Sequence, residues 1–106
     1  MFGLVAQIRR AASSVPANIA EGYGRESAGS YMHFLRVAQG SLKELETHLL
    51  LSARVGLWKG HSAEPLIEQC DDIGRMLRGL IRALERSGPI ADRRLPTAAT
   101  SEGRFP

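Results

Sequence analysis

The sequence predicts an all-α protein, an antiparallel helical bundle of three long helices with up-and-down topology. In three stretches of the chain, apolar residues recur at alternating steps of three and four. A repeat that averages 3.5 residues keeps one stripe of each helix facing its neighbours. We therefore expect one helical-bundle domain over residues 1–87, followed by an irregular tail that contains proline and glycine over residues 88–106.

The first helix is predicted over residues 3–21. Its apolar stripe consists of Val5, Ile8, Ala12, Val15 and Ile19. Pro16 removes the amide that would bond the carbonyl of Ala12, so we expect a kink or a short break there. Gly22 and Gly24 are expected to end the helix by adopting the left-handed backbone conformation.

The second helix is predicted to run from the N-cap Ser27 to Val55, with Gly56 ending it. Its apolar stripe consists of Tyr31, Leu35, Ala38, Leu42, Leu45 and Leu49. Gly40 in its middle costs about 1 kcal/mol relative to alanine, which favours a place where another backbone comes close. The run 49–51 is apolar on more than one side and indicates contacts beyond the core of one chain.

The third helix is predicted over residues 62–86, with Ser62 as its N-cap. Two neighbouring apolar stripes run along it: Leu66, Cys70, Ile73, Leu77, Leu80 and Leu84, then Ile67, Gly74 and Ile81. Asp71 and Arg75 are spaced to form an ion pair one turn apart. Cys70, the only cysteine, is interpreted as a small buried hydrophobic residue.

Composition limits the classes of protein to consider. The formal charge of +3 makes the chain mildly basic, which permits a nucleic acid as partner but is far from the charge density of a dedicated binder. No segment is apolar enough to span a membrane, and no secretion signal precedes the first helix, so we expect a cytoplasmic protein without membrane contact. Because a core of this size supplies only about 3–5 kcal/mol, surplus apolar stripes favour self-association.

Two segments are specific enough to indicate a family. They are Phe2-Gly3-Leu4 with Gln7-Ile8-Arg9-Arg10-Ala11-Ala12 and Ser14-Val15-Pro16-Ala17-Asn18-Ile19-Ala20-Glu21-Gly22, and Ala38-x-Gly40-Ser41-Leu42-x-Glu44-Leu45-Glu46-Thr47. Together they resemble the four-helix-bundle proteins of the 23S rRNA-intervening-sequence family. The resemblance covers about residues 2–86.

The resemblance implies an antiparallel bundle that assembles as a ring, usually a homopentamer, with no enzymatic activity. A related branch, the accessory proteins of diversity-generating retroelements, uses a basic pentameric surface to hold a reverse transcriptase and nucleic acid. Family members carry a further amphipathic helix before the Phe-Gly-Leu segment, whereas this sequence begins at Met1-Phe2, so either the start is misassigned or the chain is a natural truncation with three helices. We expect its absence to leave an apolar groove that is open or filled by another subunit.

Asn18 and Glu21 lie one turn apart beside Pro16 and admit two interpretations. They could form a polar site near the ring axis or a partner contact. Alternatively, Glu21 pairs with Arg25 at a spacing of four, and Asn18 bonds backbone groups that the proline frees. We favour the second, structural interpretation.

Glu44, Glu46 and His48 raise the question of a metal site. Dimetal carboxylate sites in bundles need Glu-x-x-His on two helices and further glutamates, and this chain has no such pair of motifs. A polar subunit contact or a solvated face is the favoured interpretation.

No serine lies in a nucleophile-elbow motif, and Gly22-x-Gly24 follows no strand, so the sequence predicts no catalytic residue, metal or cofactor.

Four arginines, Arg9, Arg10, Arg25 and Arg36, could form a basic patch that a ring would multiply. Each phosphate that the protein neutralises raises its affinity for nucleic acid, so repeating the patch around a ring would strengthen nucleic-acid binding. The sequence favours a non-enzymatic homo-oligomeric scaffold or interaction protein. The alternative is a nucleic-acid-binding ring similar to the retroelement accessory proteins, with nucleic acid or a nucleic-acid enzyme as partner.

Overall fold

The structure, a computed structural model, describes residues 2–86. It contains three α-helices and, within these residues, no strand: α1 (Phe2–Tyr23), α2 (Ala28–Arg54) and α3 (Glu64–Arg86). The predicted all-α fold class is confirmed. The tail predicted over residues 88–106 lies outside the described residues.

The middle helix, α2, packs against both α1 and α3, whereas α1 and α3 make few contacts with each other. Contacts between α1 and α2 join Arg10 with Glu44, Ser14 with Ser41, and Gly22 with Phe34. Contacts between α2 and α3 join Arg36 with Glu85 and Leu42 with Gly74. In both pairs the residue numbers rise along one helix while they fall along the other, so the neighbouring helices run antiparallel.

The core lies where the predicted stripes meet. Its buried members are Val15, Leu35, Ala38, Leu42, Leu49, Cys70, Leu77 and Ile81. All of them belong to the stripes identified from the sequence, and Cys70 is buried as expected. The heptad-like spacing therefore predicts the core residues, although Leu66, Ile73 and Leu80 of the first α3 stripe and Ala12 of the α1 stripe are exposed.

The α1 helix passes through Pro16 without a break, so the short interruption that the proline suggested is wrong. Pro16 lies on an exposed side of the helix. The Asn18 side-chain amide donates to the Ser14 carbonyl at 2.9 Å, and the Ser13 hydroxyl donates to the Arg10 carbonyl at 3.2 Å. These bonds supply local partners around the missing amide, and the helix continues.

The turn between α1 and α2 differs from the prediction at its glycines. Among the described residues, the positions with positive φ are Gly56, Lys59 and Gly60, so neither Gly22 nor Gly24 ends α1 through a left-handed conformation. Gly22 has a packing role instead. A Cβ at that position would lie 2.8 Å from the Cβ of Phe34, which is closer than side chains approach. The Gly22 position therefore lets the end of α1 lie directly against α2.

The caps of α2 follow the sequence, whereas α3 begins at Glu64, so Ser62 lies one position before the N-cap and not at it. Ser27 is extended and its hydroxyl accepts the amide of Ser30 at 3.1 Å. At the other end of α2, Gly56 takes a φ of +76°. The Ser62 hydroxyl accepts the amide of Glu64 at 3.1 Å at the start of α3.

The turn between α2 and α3 is anchored by Trp58. Its indole Nε1 donates to Ser52 Oγ at 2.8 Å, and Ser52 Oγ donates to the Leu49 carbonyl at 2.7 Å. Ser52 is fully buried, and these two bonds satisfy its hydroxyl. The indole thereby closes the end of α2 over the core.

Two local predictions are wrong. A Cβ on Gly40 would meet no atom within 4 Å, so within the described residues no other backbone approaches this glycine. Arg75 pairs with Asp72, not with Asp71. Both carboxylates lie about one turn from Arg75 on the exposed side of α3, and exposed pairs of this kind differ by only a few tenths of a kcal/mol.

The contrast between two helical glycines gives a test of the α1–α2 packing. We expect Gly22→Ala to destabilise the fold by about 1–3 kcal/mol, because the new methyl group meets Phe34 Cβ and the Tyr31 carbonyl. Gly40→Ala is the matched control, and we expect it to stabilise the fold by up to about 1 kcal/mol through helix propensity alone. Urea unfolding followed by circular dichroism measures both. Equal effects of the two substitutions would contradict this packing.

Candidate functional site

An apolar groove runs between α1 and α3, with α2 as its floor. A cavity of about 240 Å³ within it is lined by Ile8, Ala12, Leu45, Leu49, Leu66, Gln69, Cys70 and Ile73. Seven of these eight side chains are apolar. We call this feature the α1–α3 groove.

The apolar surface continues along the α3 side of the groove. Leu66, Ile73 and Leu80 are spaced seven residues apart and are each between 36% and 39% exposed. Met76 lies between the last two and is 71% exposed, the largest value among the exposed hydrophobic side chains of the described residues. Contiguous exposed apolar surface of this kind is typical of an interaction site.

Arg10 links α1 to α2. Its guanidinium donates to the Glu44 carboxylate and also contacts Gln7 on its own helix. The hydrogen bond from Arg10 lowers the pKa of Glu44 from its ordinary value. His48 Nε2 lies 3.5 Å from Glu44 Oε2, and both His48 ring nitrogens are shielded from solvent without a hydrogen-bond partner in the described structure. Glu44 is thus held in an interhelical ion pair.

The polar residues beside Pro16 hold the same two helices together. Ser14 Oγ and Ser41 Oγ are 2.7 Å apart, and Asn18 Nδ2 donates to Ser14 Oγ at 3.0 Å. The Asn18 side-chain amide donates to the Ser14 carbonyl. It does not bond the Ala12 carbonyl, whose usual amide donor is absent because of Pro16. The contacts of Asn18 are therefore structural, although the carbonyl it bonds differs from the expected one.

Glu21 and Arg25 form the predicted pair at a spacing of four, with 2.7 Å between Oε2 and Nη2. The Arg25 guanidinium also lies over the Phe34 ring, 4.6 Å from its centre. This combination of an exposed ion pair and a cation–π contact secures the turn between α1 and α2. Glu46 has a weaker contact, with Lys43 Nζ at 3.7 Å.

The four arginines proposed as one basic patch are engaged at different places. Arg10 bridges α1 and α2, Arg36 bridges α2 and α3 through Glu85, and Arg25 belongs to the first turn. Of these four arginines, only Arg9 is exposed without an ion pair within residues 2–86. Three of the four positive charges are therefore balanced by carboxylates, and a nucleic-acid role for them stays a prediction.

A basic stripe that the sequence reasoning missed lies on the solvent face of α3. It consists of Arg75, Arg78, Arg82 and Arg86, all exposed. Their spacing of three or four places them on one side of the helix, and within residues 2–86 only Arg75 has an ion pair. The spacing is the signal that could have revealed this stripe, although it is less conspicuous than the adjacent pair at positions 9 and 10. We call it the α3 arginine stripe.

A second cavity, of about 300 Å³, lies at the turn between α2 and α3. Trp58, Leu50 and Ile67 supply its apolar lining, while Lys59 and Glu64 bring opposite charges to its edge. Lys59 has a φ of +30°, an uncommon conformation for a residue with a side chain. This mixed lining contrasts with the nearly apolar α1–α3 groove.

Metal-binding clusters and membrane-spanning helices are both absent from the described part of the chain. No group of three or more histidine, cysteine, aspartate or glutamate side chains in residues 2–86 could hold a metal ion. Within the same residues, no helix is both long and apolar enough to cross a membrane.

Cys70 gives a chemical probe of the groove floor. Burial is the main cause that raises the pKa of its thiol, and the negative charges of Glu46 and Asp71 add to it. Because the thiolate is the reactive form, we expect a disulfide reagent to modify native Cys70 at least about tenfold more slowly than the urea-unfolded chain at about pH 8. The native rate should rise as the pH is raised. Equal native and unfolded rates would mean that the groove floor is open to the reagent.

The sequence matches a family of known proteins. A model of the family described as 23S rRNA-intervening sequence protein matches residues 1–79. No curated protein matches the chain. The matched residues include all of α1 and α2 and most of α3, the three helices that surround the groove. The chain belongs to the 23S rRNA-intervening sequence protein family.

Proposed function

We propose that this protein is a non-enzymatic, self-associating scaffold of the cytoplasm that holds partner molecules together. The α1–α3 groove carries the proposal. It exposes a continuous apolar face on a domain whose own core is small. Covering such a face removes apolar surface from water, which contributes about 25 cal/mol per Å² in favour of binding.

The distribution of polar groups supports a binding role over a catalytic one. Ser14 and Ser41 bond each other, and Glu44 is paired with Arg10. These side chains stabilise the α1–α2 interface, and neither serine has a histidine as a partner in the described structure. The groove itself presents Gln69 as its one polar lining residue. An apolar groove whose polar neighbours are already paired is suited to holding a helix.

Self-association is the simplest way to cover the groove, and the family resemblance implies a ring of five subunits. We expect light scattering after gel filtration to give a mass well above that of one 11.6 kDa chain at micromolar concentrations. A ring of five would have a mass of about 58 kDa. A mass of one chain over the whole micromolar range would contradict the proposal.

Nucleic-acid binding is the second candidate, and the α3 arginine stripe is the observation that favours it. Four guanidinium groups follow one face of α3 from Arg75 to Arg86, twelve residues that span about 16 Å. Guanidinium groups bind phosphate oxygens in a bidentate manner. Copies of the stripe in an oligomer would extend the positive surface available to a nucleic acid or to the nucleic acid held by a partner enzyme.

A salt titration tests this candidate. With fluorescently labelled single-stranded RNA, we expect the slope of log K against log salt to change by about 0.7 for each phosphate that the protein no longer neutralises. The double substitution Arg78→Ala with Arg82→Ala should therefore reduce the slope by about 1.4 if both residues bind phosphate.

The double substitution Arg9→Ala with Arg10→Ala removes the same charge and is the matched comparison. A smaller slope in that variant alone would assign binding to the amino-terminal arginines that the sequence first suggested. Undetectable binding at low salt would discard the candidate function.

A further inference from the structure

We propose that a nucleic-acid strand crosses this protein from the α3 arginine stripe to Lys43 on α2, and does not follow α3 along its whole length. The inference rests on the nucleic-acid candidate of the proposed function. It deepens that candidate by naming the bound surface and the direction of the strand. Four features of the described residues carry it.

The first feature is that Lys43 lies beside the arginine stripe. Lys43 and Arg78 line the same small depression between α2 and α3. Farther along the two helices, Arg36 bonds Glu85, which confirms that this side of α2 faces the second half of α3. The axes of packed helices are about 8–10 Å apart, so a strand that leaves the stripe towards α2 reaches Lys43 directly. The other flank of α3, at Ile73, is apolar and offers phosphate no partner.

The second feature is the space that Gly74 leaves between the two helices. A Cβ at this position would lie 3.4 Å from Arg78 Nη1 and 3.5 Å from Leu42 Cδ2. The missing side chain therefore lets the Arg78 guanidinium lie beside the depression that Lys43 also lines. Arg78 has no ion pair within residues 2–86, so its charge is available to phosphate.

The third feature is the accessibility of Lys43. Its Nζ lies 3.7 Å from Glu46 Oε1, which is too long for a good hydrogen bond. The Lys43 side chain is 71% exposed, whereas that of Glu46 is 20% exposed. A phosphate that approaches from solvent therefore meets the ammonium before the carboxylate.

The fourth feature is a change of charge along the solvent face of α3. Glu64, Glu68 and Asp71 continue the line of the stripe towards the start of the helix, are exposed, and have no ion pair within residues 2–86. Along the helix axis, Asp71 lies about 6 Å and Glu68 about 10 Å from Arg75. Neither distance exceeds the Debye length of about 10 Å at 0.1 M salt, so both carboxylates repel a phosphate bound at Arg75. The first half of α3 is thereby closed to the strand.

Paired lysine substitutions test the crossing path. With the full chain and fluorescently labelled single-stranded RNA, we expect Lys43→Ala to reduce the slope of log K against log salt by about 0.7, because one phosphate contact is lost. Lys59→Ala removes the same charge at the turn between α2 and α3 and is the matched control. It should leave the slope unchanged. Equal slopes in the two variants would overturn the crossing path.

Neutral amides test the acidic boundary. We expect Asp71→Asn to strengthen RNA binding about twofold at 0.1 M salt, because a like charge close to the bound phosphate is removed. Glu64→Gln removes the same charge about 16 Å from Arg75 and is the matched control, with a smaller expected effect. Both side chains are exposed, so circular dichroism should show native helix content in both variants. Equal strengthening would indicate a general effect of net charge and would overturn the boundary.

The stripe itself separates the failure of this inference from the failure of the nucleic-acid candidate. If Arg78→Ala with Arg82→Ala lowers the salt slope while the two lysine variants behave alike, the candidate stands and the crossing path is overturned. If the unsubstituted chain binds no RNA at low salt, both are overturned.

Discussion

The packing of α2 between two neighbours that barely touch each other governs the rest of this structure. Leu35, Leu42 and Leu49 bury one side of α2, and α1 and α3 each cover part of it. Two helices cannot enclose a third when they remain apart, so a strip of its apolar surface stays open. The groove is therefore a direct result of the helix arrangement, and its lining combines the core residues Leu49 and Cys70 with apolar residues at the edge of the core.

Polar contacts keep α1 and α3 where they are. Arg10 with Glu44 and Ser14 with Ser41 attach α1 to α2, while Arg36 with Glu85 attaches α3. Because these side chains lie at helix interfaces, they contribute to the placement of the helices. None of them lines the groove, whose lining residues carry no charge. The residues that looked most like site residues in the sequence are mainly those that position the helices around the site.

The repeat of apolar residues predicts the helices and the core, because buried positions recur with the period of the helix. This period can be seen within a single stretch of sequence. Individual glycines and prolines are less predictable, since their effect depends on neighbours. Pro16 does not break α1, and Gly22 is required by Phe34, which is distant in sequence. The ion pair of Arg10 with Glu44 joins residues 34 positions apart, and no local pattern indicates it.

The three faces of α3 separate the possible roles of the helix. Leu77 belongs to the core, Met76 projects beside the groove, and Arg82 lies on the solvent face. The charge pattern of the solvent face also has a structural cause. Acidic residues near the start and arginines near the end both complement the helix dipole. Arg86, in the last turn, would therefore stabilise α3 even without a ligand, which is why removal of the stripe must be judged by phosphate binding and not by stability alone.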